Sequence, residues 1–137
     1  NGILSLAFCA NQKNAATFGN DFADRAQGLV QHRNSLLQVK NMHIIPDTES
    51  DSMPTVNNGI ALCKLHHAAF DSFIIGVSPE YVIEVREDVL EEHDGPMLQH
   101  GIKELHKQSI ILPRRAEFMP DKGFLDWRYQ RFREASF

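Results

Sequence analysis

The stretch NNGIALCKLHHAAFD, residues 57–71, joins a turn dipeptide, a short apolar run and two adjacent histidines, His66 and His67. Imidazole is poor core filler unless it finds a polar partner, so a pair of them placed in an apolar run directly after a turn points to a site. The segment reads as a short strand that continues as a helix. Leu62, Leu65, Ala69 and Phe73 recur at three- and four-residue intervals and predict one inward-facing side. Asn58-Gly59 is a dipeptide that often carries the positive φ angles of tight hairpins.

Upstream, SLLQVKNMHIIP (35–46) predicts a strand that includes Leu37, Val39 and Ile44 and stops at Pro46. The polar DTESDSMPTVNNG between it and the apolar run makes a long hairpin plausible. Downstream, FIIGVSPEYVIEVRED reads as a second hairpin around Ser78-Pro79-Glu80. A helix is expected from Pro96, since proline suits a first turn. Another is expected in PDKGFLDWRYQRFREASF, with Asp121 as its cap and Phe124, Trp127 or Arg128, Arg131 and Phe132 arranged amphipathically. Residues 11–28 show weak periodicity and read only loosely as helix and loop.

The chain has 137 residues, 42% hydrophobic and 23% charged, which suits one compact domain and argues against disorder. The formal net charge of -4 is not the basic excess expected of a protein that holds nucleic acid by counterion release alone. Any such partner must meet a local patch or a metal. Two cysteines, Cys9 and Cys63, build no disulfide framework and fit a reducing compartment at least as well as an oxidising one, with a cytoplasmic chain as the expectation. ILSLAFCA lacks the basic flank of a signal peptide, and no apolar run approaches the roughly 20 residues of a membrane helix. A soluble chain is the expectation, and its start at Asn1 leaves room for a longer protein.

Strand, turn, strand and helix, with His43 ending the first strand, Asn58 at the turn and His67 on the helix, set out the order His, Asn, His. Here the sequence resembles the HNH endonuclease family, and a subfamily with AHI-P and NGLALC-LHH-AFD patterns in particular. MHIIP, NNGIALCKLHHAAFD, IIGVSPEYVIEVRED, DGPMLQHGIKELH, LPRRAEF and WRYQRF carry the likeness over residues 36–133. It implies an α+β fold with a ββα-metal (His-Me finger) core, an added β-hairpin and C-terminal helices. Residues 36–137 would form the nuclease domain, and 1–35 a divergent segment packed on it.

The resemblance implies hydrolysis of DNA phosphodiester bonds, in restriction and defence or in mobile DNA. His43 would be the general base, Asn58 would orient it, and His67 would hold a divalent ion: Mg²⁺ or Mn²⁺, with Zn²⁺ or Ni²⁺ as further candidates. Arg114, Arg115 and Arg128 are candidate phosphate contacts; an arginine run is equally at home as a solvated face. A homodimer or a preceding recognition domain is open. Two departures bear on activity. Met42 stands where many members have an acid or a second histidine, which suggests that Met42→Asp would tighten Mg²⁺ binding. The cysteine knuckle that many members carry upstream is missing, so Cys63 and His66 are half a zinc site unless Cys9 and His32 complete it. The alternatives are therefore an inactive HNH-fold module that binds DNA or protein, and a small zinc-stabilised interaction domain. Each residue also has a plainer reading: His43 as a strand-end histidine, Asn58 as a left-handed turn residue, Cys63 as a small buried hydrophobe.

Overall fold

The computed structural model describes residues 39–135. The N-terminal segment, its boundary near residue 35, Cys9 and His32 lie outside the described residues. Strand β1 (Val39–His43) pairs antiparallel with β2 (Gly59–Cys63), from Val39 opposite Cys63 to His43 opposite Gly59. All five residues of β2 are buried, which is why GIALC reads as an unbroken apolar run rather than an alternating one. Helix α1 (Lys64–Asp71) follows without a loop and packs on both strands. A second antiparallel pair, β3 (Ile75–Val77) with β4 (Ile83–Val85), forms the predicted hairpin. Helices α2 (Glu87–Glu91), α3 (Pro96–Gly101) and α4 (Lys122–Ala135) complete a mixed α+β arrangement.

The core gathers Met42, Ile44, Ile60, Leu62, Ala69, Phe70, Ile75, Val77, Ile83, Val85, Ile102, Ile110 and Leu125. Helix α4 closes it, burying Leu125, Arg128 and Phe132. Its approach to β3 needs a glycine: a Cβ at Gly76 would lie 2.5 Å from the Phe132 ring. Asp121 caps the helix as expected, its Oδ1 accepting from the N–H groups of Gly123 and Phe124.

Three local expectations are corrected. Gly59 is extended, at φ -137°, because the hairpin closes through a long loop that ends in a 3₁₀ turn at Val56–Asn58. The inward side of α1 is His66, Ala69 and Phe70, with Leu65 45% exposed, because the helix starts only at Lys64. Phe73 lies beyond the helix in a left-handed conformation, φ 53°, where the Ile74 N–H reaches back to the Ala69 carbonyl and ends the helix.

Candidate functional site

Alternation along β1 decides which side chains face out. Met42 is buried in the core, so its neighbour His43 points the other way and stays partly exposed. The expectation that Met42 leaves a ligand position empty is thereby corrected: the Met42 side chain is turned away from His43, and a carboxylate there would enter apolar core.

Asn58 is fully buried and every polar atom of its side chain is used. Its Oδ1 accepts from the Ile45 N–H at 2.8 Å, and its Nδ2 donates to the carbonyls of Ile45 (3.1 Å) and Met53 (3.0 Å). Its own carbonyl accepts from the Ile44 N–H at 3.0 Å. The two residues after His43 are thus clamped by one asparagine, while Gly59, next to Asn58, pairs with His43 itself. This is a tighter arrangement than a left-handed turn residue would make. Buried amide groups that are fully satisfied rigidify the backbone around them.

His43 Nδ1 lies 3.0 Å from Asp47 Oδ1, four residues along the chain. The same spacing recurs on α1, where His67 Nε2 lies 3.4 Å from Asp71 Oδ2. HIIPD and HAAFD are therefore the same pattern, histidine and aspartate at i and i+4, in a loop and in a helix. His66 faces the other way. It is buried, with Nε2–H donating to the Gly101 carbonyl at 2.7 Å and Nδ1 3.2 Å from Cys63 Sγ, so it ties α1 to α3. Burial lowers its pKa, with the Gly101 hydrogen bond working in the opposite direction.

Arg128, expected among phosphate contacts, is buried, and its guanidinium is engaged from several sides. It donates to the Phe70 carbonyl at 3.0 Å and pairs with Asp71 Oδ1 at 3.6 Å. Its Cζ sits 4.6 Å and 4.8 Å from the ring centres of Phe70 and Phe73. Burial lowers its pKa against the opposing charge of Asp71. Its Nε has no hydrogen-bond partner among the described residues, an omission that typically costs about 1–3 kcal/mol. That placement removes Arg128 from the solvated surface where a phosphate would meet it.

Arg114 and Arg115 are exposed, in the segment before the 3₁₀ turn at Ala116–Phe118. Arg115 pairs loosely with Glu117, at 3.3 Å. Asn57, the residue beside Asn58, fastens this segment through bonds from Nδ2 to the carbonyls of Glu117 (3.0 Å) and Met119 (2.8 Å), and its own carbonyl accepts from Asp121 N–H. The arginine pair is therefore tethered to the same turn that holds the His43 loop.

Among the described residues, no three His, Cys, Asp or Glu side chains converge on one point. A caged structural zinc needs four such ligands, and the described residues bring no such set together. A largely hydrated Mg²⁺-type ion suits these residues, because it takes one or two protein donors and keeps water or phosphate oxygens in the remaining positions. His67 Nε2 and Asp71 Oδ2 are separated by little more than the ~3 Å that divides neighbouring donors on an octahedral ion with bonds of about 2.1 Å.

Residues 24–78 match the family model of the HNH endonucleases, so the resemblance holds over the segment that carries His43, Asn58 and His67. No curated protein and no solved structure matches the chain. The family match supports a function of nuclease type, for which DNA is the substrate and a divalent ion the usual cofactor. No helix among the described residues is long and apolar enough to cross a membrane.

Proposed function

From the HNH match over residues 24–78, we propose that this domain hydrolyses DNA phosphodiester bonds with a divalent ion, in restriction, defence or mobile DNA. The observation that carries the reading is the clamp of Asn58 on the residues after His43, together with the Asp47 carboxylate at His43 Nδ1. A carboxylate at Nδ1 favours the proton there and leaves Nε2, the other ring nitrogen, as the base. Nε2 then accepts a proton from water as the water oxygen bonds to phosphorus, and the P–O bond on the far side breaks, its electron pair leaving with the departing oxygen. His67 and Asp71 are the side chains that would hold the ion, which supplies charge stabilisation to the phosphate and the leaving oxygen when bound. Arg114 and Arg115 would meet neighbouring phosphates, a role supported by their exposure and by the Asn57 tether.

The test is nicking of supercoiled plasmid with Mg²⁺, Mn²⁺ or EDTA, beside a His43→Ala control. Metal-dependent nicking that His43→Ala abolishes is expected. Equal nicking by both proteins defeats the assignment of His43. Binding of DNA without cleavage by the wild type at any metal concentration would favour an inactive HNH-fold module instead.

A further inference from the structure

Resting on the reading of Asp71 as an ion donor, we propose that Arg128 is a positioning residue for that donor, a task assigned to it by the way α4 is docked. Asp71 is the last residue of α1, where a helix end frays and a carboxylate 54% exposed would sample several rotamers. Arg128 opposes that freedom. Its guanidinium lies within 4.6 Å and 4.8 Å of the Phe70 and Phe73 ring centres, on either side of Asp71 in sequence, and donates to the Phe70 carbonyl. So held, it presents an Nη group to Asp71 Oδ1 and leaves Oδ2 toward His67. One carboxylate oxygen faces the buried guanidinium at 3.6 Å and the other faces the imidazole, and outer partners commonly orient a metal-binding group in this way. The geometry couples the C-terminal helix to the site across 58 residues of chain. It also gives a use to a buried guanidinium whose Nε has no hydrogen-bond partner among the described residues, where an apolar side chain would fill the space without that omission.

The experiment compares Mn²⁺ affinity, read by electron paramagnetic resonance, in the wild type, Arg128→Lys, Asp71→Ala and the double variant. Lysine keeps the positive charge and loses the planar fork, so it separates positioning from simple electrostatics. Arg128→Lys should weaken Mn²⁺ by about 10-fold or more. In the Asp71→Ala background it should change affinity by less than about twofold, since the two residues act as one unit. An unchanged affinity in Arg128→Lys, or an equal loss in both backgrounds, overturns the proposal while leaving the ion site standing. A wild type that binds no Mn²⁺ overturns the ion site and the proposal with it. If Arg128→Lys does not fold, the Arg128 side-chain resonances of the wild type decide: they should shift on saturation with Mg²⁺, and their constancy overturns the role.

Discussion

Asn58 holds Ile45 by both of its backbone groups, accepting from the N–H at 2.8 Å and donating to the carbonyl at 3.1 Å. A side-chain amide that replaces a strand partner in this way continues the β1–β2 ladder past the point where the strands end. The loop that follows His43 therefore leaves in one direction, and the imidazole is held at a fixed place on the hairpin.

Asn58→Asp keeps the shape but turns a donor into an acceptor facing the carbonyls of Ile45 and Met53. Stability should fall by about 2 kcal/mol or more, since buried polar groups are left unpaired. Nicking should fall too, measured below the melting transition of the variant. Thermal unfolding and plasmid nicking check the pair; an unchanged melting temperature would show that the clamp is not stabilising.

His43→Ala should lose about 10² to 10⁴ in cleavage rate, the usual contribution of a general base, with little effect on folding because His43 is partly exposed. Asp47→Asn should lose less, about 10-fold, as outer partners of a working imidazole do. Asp47 is 72% exposed, so its loss should leave the urea midpoint nearly unmoved. Rates for the two variants that are equal to each other would mean Asp47 does more than orient His43.

Met42→Asp should destabilise the fold by about 3 kcal/mol or more without tightening Mg²⁺, because it places a carboxylate in apolar core. Calorimetric titration and thermal unfolding together decide this, and a gain in affinity with an intact fold would reverse the placement of the side chain.

His66 makes stability depend on pH. Its folded pKa lies below the ordinary 6.5 because it is buried. Between those values the unfolded chain binds more protons, so stability falls as pH drops through that window and its contribution is complete above about 6.5. Glu84, whose own pKa is lowered from 4.5, adds a loss only at more acid pH: burial pushes it up, but the hydrogen bonds and charges of Lys107, Tyr129 and Arg133 prevail. Urea midpoints taken from pH 7 to 5 should decline in the wild type and decline less in His66→Gln. His66→Ala should lose stability and keep Mn²⁺ binding, whereas His67→Ala should lose the ion.

The sequence by itself determined the order of the main elements, though not the short helix α2, and carries the letters of the motif. Periodicity and turn chemistry are local properties, and β1, β2, α1, the second hairpin and the Asp121-capped helix each follow from a short window. The placement of His43, Asn58 and His67 in that order needed no long-range contact. Tertiary structure alone decided which way side chains face and what they meet. Met42 and Arg128 look in sequence like a ligand position and a surface cation, and both are core residues because β1 alternates against α1 and because α4 lies across Phe70 and Phe73. The pairing of Arg128 with Asp71 spans more than fifty residues, and no local pattern encodes a contact of that separation. The clamp of Asn58 on Ile45 was equally invisible, since an Asn-Gly dipeptide serves a tight turn as readily as the end of a long loop. The His–Asp spacings at 43 and 47 and at 67 and 71 were legible as letters, and only the folded backbone brings each pair within reach.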